Sequence, residues 1–416
     1  MAVEIINIGT ELMLGRVVNT NASFLGQRLA MIGQEVAFQV MVGDNEVRLT
    51  VTLNQALGRS NIIILTGGLG PTEDDITKKI LGKVLGKELI LNKEYLEKIK
   101  SHFLGRKLTP PSTTLNQALV FKGAKIIPNH LGTAPGQILE EKGATILILP
   151  GVPREMKAMF DEVVIPYLRE KFPSSTVIKS KYLKVFGLGE SAMEDLLKDI
   201  IMSTMNPEIG TICSEKELIL RLTAKADSFE IAQRLIQPVE ARIRDRLGAY
   251  IFGQEDETME VVVGSLLTLK RKTIAVAESC TGGTVADLLT NVAGSSVYFE
   301  RGIVCYSNRA KTELLEIAED LLKRKGAVSS EVGEAMAKNV RSLSRTDLGL
   351  SITGIAGPAG ATPDKPIGLT FIGLAHEKEV VVKKYNFTGQ RRLIKDRMAQ
   401  TALDMVRRYL CDYLSP

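Results

Sequence analysis

The chain has 416 residues, 44% of them hydrophobic and 24% charged, with a formal net charge of +5. That length exceeds one ordinary core and implies two or three domains. The composition excludes a disordered chain, and so small a net charge offers no argument for a nucleic-acid or membrane partner.

No apolar run approaches the roughly 20 residues of a membrane span. The opening MAVEIINIGTE carries acids and runs straight into a strand, unlike a signal peptide. Cys213, Cys280, Cys305 and Cys411 are scattered with no CxxC pair, which suits a reducing cytoplasm and argues against a thiolate zinc site. With only three histidines, His102, His130 and His376, chemistry that usually leans on histidine must find another base.

In chain order, the first 170 residues alternate short apolar runs with amphipathic segments, the pattern of a doubly wound α/β domain. Strands are predicted at Val3–Ile8, 35–42, 62–65 and 145–149, and helices at 20–32, 46–57, 74–85 and from about Pro153. Residues 171–255 carry 12 Lys+Arg and 12 Asp+Glu, a net charge of zero, and read as a small α+β module. GQEDET (253–258) is a candidate linker. From 259 to 416 a second α/β pattern follows, with strands at 273–277, 298–306, 348–353 and 367–375. Its helices are predicted at 283–291, 308–318, 331–344 and 390–410.

Two loop systems carry the chemistry. TGGLGPTEDD (66–75) follows the apolar run Ile62–Leu65. Glycines between strand and helix expose backbone N–H groups that bind anions, yet Glu73, Asp74 and Asp75 would repel a phosphate. Acids complement the dipole of a helix start. Alternatively they hold a divalent cation that bridges to phosphate oxygens.

The second system is AESCTGG (277–283), AGSSVYFERGIVCYSNRAK (293–311) and SITGIAGPAG (351–360). These clusters end apolar runs, at the sheet edge where open α/β folds bind ligands. They make a polar pocket suited to a phosphate or an oxyanion. Cys280 is either a nucleophile at a helix start or a small buried residue. A serine with a desolvated lysine base needs no histidine.

TGGLGPTEDDIT resembles the TGGTG…D signature of the molybdopterin-binding fold, and PGVPREM resembles that fold's later turn. With GTELMLGRVVNTNASFLGQRL, VGDN and the C-terminal motifs, the whole chain resembles the competence/damage-inducible CinA family. The resemblance implies two α/β sandwich domains, an N-terminal molybdopterin-binding-like one (1–170) and a C-terminal amidase (259–416). A KH-like α+β domain (171–255) would join them. It implies a cytoplasmic homodimer that hydrolyses ADP-ribose to AMP and ribose 5-phosphate with a divalent metal (Mg²⁺, Mn²⁺ or Co²⁺). It also implies a second activity, the deamidation of nicotinamide mononucleotide (NMN) to nicotinate mononucleotide and ammonia, with no metal required.

Carried onto this sequence, Thr66, Gly67, Gly68 and Gly70 would cradle a diphosphate, and Asp74 and Asp75 would hold metal or position water. Glu11, Asn19, Asn21 and Asp44 match further motif positions, with helix capping the alternative for the two asparagines. Arg154 would meet a phosphate or stand solvated at a helix start. In the amidase, Ser296 would be the nucleophile, Lys311 the base and Ser279 a relay. Without the resemblance, Ser296, Ser279 and Ser295 are not distinguished. Thr281, Gly282 and Gly283 would donate to phosphate or oxyanion, while Tyr306, Thr353, Gly354 and Gly357 would shape the pocket.

Leu69 departs from the small polar residue usual in molybdopterin enzymes. FGLGES lacks a GxxG flanked by basic residues, so nucleic acid is not an expected partner. The rival functions are a molybdopterin-related protein and a non-enzymatic partner in competence or DNA repair.

Overall fold

The computed structural model describes residues 1–105, 112–173, 176–214 and 217–414. They divide into two compact units, 1–179 with 224–235, and 180–223 with 236–416.

In the first unit, β1 (Val3–Ile8), β2 (Val36–Val42), β3 (Ile62–Thr66), β6 (Lys125–Ile127), β7 (Gly136–Glu141) and β8 (Ala144–Leu149) form one sheet. Its order is β2-β1-β3-β8-β7-β6, and β4 (Leu89–Leu91) pairs separately with β5 (Leu119–Phe121). The strands β1, β2, β3 and β8 run parallel, while β7 and β6 are antiparallel additions. Side chains alternate across a strand, so each central strand feeds two cores. Val3, Ile5, Ile62 and Ile64 pack with Leu25, Leu29 and Met156 on one face. Ile6, Ile8, Ile63 and Leu65 pack with Leu49, Leu53, Ile80 and Leu81 on the other. A parallel sheet buried on both faces reads as the continuous apolar runs seen in the sequence.

The second unit contains β9 (Val177–Val185, from Ser180), β10 (Glu208–Cys213), β11 (Leu218–Ala226, to Thr223) and β12 (Ile251–Gln254), in the order β10-β11-β9-β12. Its larger sheet has β13 (Ile274–Glu278), β14 (Phe299–Val304), β15 (Leu348–Gly354), β16 (Leu369–Ala375) and β17 (Val380–Asn386), in the order β14-β13-β15-β16-β17. Strand β13 lies parallel to both β14 and β15, and the last two strands are antiparallel. Ile274 and Val276 face the long helix Arg391–Leu410, and Ala275 and Ala277 face the helix Ser330–Ser344.

The mixed α/β class with two layered sheets matches the sequence expectation. The details differ in two ways. Strands β4, β5, β6, β7, β10, β12 and β17 were not predicted. The predicted helix at 74–85 starts only at Thr77, because Thr72 to Asp75 form a turn closed by the side chain of Asp75.

Both sheets share one topological feature. In the first, the chain leaves β1 for β2 on one side and returns to β3 on the other; in the second, β13 stands likewise between β14 and β15. Such reversals open a crevice at the carboxyl ends of the strands, where open α/β sheets bind ligands.

Candidate active sites

In the first unit the crevice is a cleft of about 990 Å³. Its lining includes Glu11, Asn19, Asn21, Asp44, Thr66, Gly67, Gly68, Gly70, Asp74 and Asp75. Thus the structure brings together nearly all the residues picked from the sequence for this site. Arg154 is the exception: it is exposed and its neighbour Glu155 lines the cleft instead. Adjacent residues of a helix point about 100° apart, which lets Glu155 face the crevice while Arg154 turns to solvent.

The glycines are there because backbone and side chains crowd them. A Cβ on Gly67 (φ +103°) would stand 2.1 Å from the Ile8 carbonyl oxygen, and one on Gly68 (φ +64°) 2.2 Å from Thr77 Oγ1. A Cβ on Gly70 would sit 2.5 Å from Asp75 Oδ2. The loop is anchored by Thr77 Oγ1, which donates to Gly67 O at 2.8 Å. Asp75 Oδ2 accepts from Thr72 N at 2.9 Å and Thr72 Oγ1 at 2.6 Å. This acid therefore closes the turn that carries the loop into the helix, a role beyond complementing a helix dipole.

Other candidates brace the walls. Asp44 Oδ2 accepts from the Thr10 amide and hydroxyl at 2.8 and 2.9 Å. Asn19 Oδ1 caps its helix through Ala22 N at 3.1 Å, as capping predicts. Asn21 Nδ2 donates to Gly151 O at 2.8 Å, while its buried Oδ1 has no partner among the described residues. Glu155 accepts from Asn129 Nδ2 at 2.7 Å, and Asn129 also holds the amides of Leu131 and Gly132.

Among the described residues no group of three or more His, Cys, Asp or Glu could hold a metal by itself. Two carboxylates beside a glycine loop still fit Mg²⁺, which binds through one or two carboxylates plus substrate phosphates.

In the second unit, Ser279 directly follows β13, and its amide donates to Ile352 O of β15 at 3.0 Å. It thus lies in the crevice. Lys311 is 1% exposed. Its Nζ donates to Cys305 O at 2.8 Å, to Ser279 Oγ at 3.0 Å and to Tyr306 O at 3.4 Å. Burial pushes the Lys311 pKa below its ordinary value, with the thiols of Cys305 and Cys280 pulling the other way.

Ser296 is not part of this arrangement, contrary to expectation. It lies exposed in the short turn Ser295–Val297 that precedes β14. Strand β14 begins opposite Ile274 and ends opposite Glu278, so Ser296 stands at the far edge of the sheet. With about 3.3 Å per strand residue, roughly 15–20 Å separate it from the Ser279 edge. The serine beside the lysine is Ser279.

Glu278, buried and not singled out from sequence, organises the loop. Its carboxylate accepts from Gly283 N at 3.0 Å, Val285 N at 3.2 Å and Ala286 N at 2.9 Å. The Gly282 amide bonds Ser279 O at 3.2 Å. The amides of Gly282 and Gly283, expected to serve a ligand, are thus engaged within the loop. Thr281 is fully buried and its Oγ1 has no partner among the described residues.

Cys280 touches Met398 Sδ at 3.5 Å, and burial drives its pKa up to about 12. That leaves a thiol, and the small-buried-residue alternative holds. Tyr306 is 60% exposed; its hydroxyl accepts from Arg391 Nη2 at 3.3 Å, and Arg391 also bonds Gly357 O. The Gly357 loop and Tyr306 are joined in this way by an arginine the sequence reading missed. Gly354 ends β15 against Leu369 and Thr370. Thr353 is buried and spends its hydroxyl on Ala327 O at 2.7 Å, so that hydroxyl is engaged within the fold.

Three family models match the chain: a probable molybdopterin binding domain over residues 4–170, a damage-inducible protein CinA KH domain over 180–253, and a CinA C-terminal domain over 256–410. A putative competence-damage inducible protein of Caldicellulosiruptor bescii is 46% identical over 99% of this chain and 100% of its own. A CinA-like protein of Kosmotoga olearia is 45% identical over 99% of both. Among solved structures, the CinA protein of Thermoplasma acidophilum is 34% identical, covering 41% of this chain and 96% of its own, with a TM-score of 0.37.

Proposed function

The chain belongs to the CinA family of competence/damage-inducible proteins, and from that premise we propose that it is a two-site hydrolase of NAD breakdown products. The second unit would be an amidase that converts NMN to nicotinate mononucleotide and ammonia. The first would be a metal-dependent pyrophosphatase that splits ADP-ribose into AMP and ribose 5-phosphate.

The observation that carries the proposal is the buried Lys311 ammonium 3.0 Å from Ser279 Oγ. A lysine taken out of water gives up its proton more readily, so the neutral amine can take the Ser279 proton as Oγ attacks the carboxamide carbon. The protonated amine then returns that proton to the departing nitrogen, and ammonia leaves. Water, deprotonated by the same amine, opens the acyl-serine ester to give the carboxylate and restore Ser279. Glu278 contributes by holding the loop that presents the serine.

At the other site the loop Thr66–Gly70 would take the diphosphate, with Asp74 and Asp75 as the residues that would hold a divalent cation. When bound, that cation supplies charge neutralisation to the diphosphate. The chain's own part is to hold the loop in shape through Thr77 and Asp75.

Ammonia release from NMN by the wild type, Ser279→Ala and Ser296→Ala tests the reading. Loss of turnover in Ser279→Ala alone, with ADP-ribose hydrolysis intact in both variants, is the expected pattern. A wild type without ammonia release would leave the second unit as a binding module.

A further inference from the structure

Neither reaction uses Lys78, although it is 6% exposed and charged. It stands in the first turn of the helix Thr77–Leu85. Its neighbour Thr77 fastens that turn to the glycine loop through Gly67 O. Lys78 itself reaches a different segment. Its Nζ donates to Asn116 O at 2.5 Å, Leu119 O at 3.1 Å and Gln117 O at 3.4 Å.

An ammonium has three donors, and carbonyls of a single short segment take all three. That segment is the 3₁₀ turn Ser112–Ala118 and the start of β5, whose sheet has two strands among the described residues. Local pairing does little to hold such a segment. The Gln117 carbonyl is buried and those of Asn116 and Leu119 are partly so, and a buried acceptor left without a donor is costly, so the lysine helps to fix where this stretch of chain lies. Gln117, in the middle of it, lines the glycine-loop cleft.

We infer that Lys78 is a positioning residue of the first-unit cleft: it rivets the wall segment that carries Gln117 to the helix that anchors the glycine loop. Two adjacent residues of one helical turn thereby hold two walls of the same cleft in register, Thr77 the phosphate loop and Lys78 the Gln117 wall. The diphosphate falls to the loop. The Gln117 wall then meets the nucleoside or sugar part of the substrate, for which a side-chain amide offers both donor and acceptor. This inference rests on the reading of the cleft as an ADP-ribose site.

The test is calorimetric titration of the full chain with ADP-ribose and with inorganic pyrophosphate, both in Mg²⁺, for wild type, Lys78→Met, Gln117→Ala and the double variant. Lys78→Met is expected to weaken ADP-ribose about tenfold or more and to leave pyrophosphate within about twofold. Because Lys78 acts through the Gln117 wall, the double variant should bind ADP-ribose no worse than the weaker single variant. Equal loss of both ligands in Lys78→Met would make the lysine a prop of the whole domain and overturn the inference. So would unchanged ADP-ribose binding, or additive losses in the double variant. Should Lys78→Met not fold, Gln117→Ala alone decides, since unchanged ADP-ribose binding there removes the wall contact. A wild type that binds pyrophosphate but no ADP-ribose removes the substrate reading and the inference together. Wild-type binding with an unaffected Lys78→Met removes the inference alone.

Discussion

Replacing Lys311 by methionine keeps the length and apolar stem of the side chain and deletes only its ammonium. In the folded chain that group makes hydrogen bonds to Ser279 Oγ, Cys305 O and Tyr306 O while 1% exposed. The two carbonyls lose their donor, at about 1–3 kcal/mol each if they stay buried and unpaired. Against that, a desolvated charge is removed, which is often neutral or favourable when an apolar group of like volume takes its place. The two effects oppose, so stability should change by no more than about 2 kcal/mol, a shift of a few degrees in Tm for a chain of this size.

Catalysis has no such compensation. A lost general base costs about 10²–10⁴-fold in rate. The paired assays are ammonia release from NMN and scanning calorimetry of the same preparation. A folded Lys311→Met protein within about fivefold of wild-type turnover would refute the Ser–Lys reasoning, since no activated-base contribution is that small.

Further expectations follow from the same geometry. Amidase turnover should rise with pH through the lowered Lys311 pKa, because the neutral amine is the active form; a flat profile over that range would argue against the lysine. The sign for stability agrees. With its folded pKa below the unfolded value of 10.5, Lys311 binds fewer protons in the folded state. Wild-type stability relative to Lys311→Met should therefore climb with pH between those two values, as pH-dependent melts would show. Ser296→Ala, far from the lysine, should leave NMN turnover within about twofold, within the range typical of a surface change. Glu278→Ala unhooks three amides and should cost about 1–3 kcal/mol together with most amidase activity, measured by melting and ammonia release. Gly68→Ala puts a Cβ 2.2 Å from Thr77 Oγ1 at φ +64°. The left-handed backbone alone costs about 1–2 kcal/mol, so ADP-ribose hydrolysis should fall while NMN turnover stays intact.

Much of this protein is legible without coordinates. Buried parallel strands must be apolar on both faces, so Ile62–Thr66 and Ile274–Glu278 announce themselves as runs. The amphipathic helices between them show the period of 3.6. Glycines at Gly67 and Gly68 are equally readable, because backbone crowding tolerates nothing larger there. The family's motifs are contiguous words, and they fall at the carboxyl-end crevices of the two sheets.

What sequence order does not carry is which end of a strand a residue occupies in space. Ser296 and Ser279 both sit in loops of small and polar residues beside strands that pair with one another. Only the parallel register of β13 and β14, Ile274 against Phe299 and Glu278 against Val304, puts them at opposite edges of the sheet and leaves Ser279 with Lys311. Arg154 and Glu155 differ in the same way, one turned to solvent and the other into the cleft by a rotation of the helix start. Long polar side chains such as Arg391, Glu278 and Lys78 find their partners across gaps of 34 to 85 residues or through backbone amides. Propensity and periodicity are local and record none of those pairings. Composition and local pattern determined the layers, the strands and the loops; the tertiary structure decided which serine meets the lysine, because parallel register converts sequence neighbours into opposite edges and distant residues into contacts.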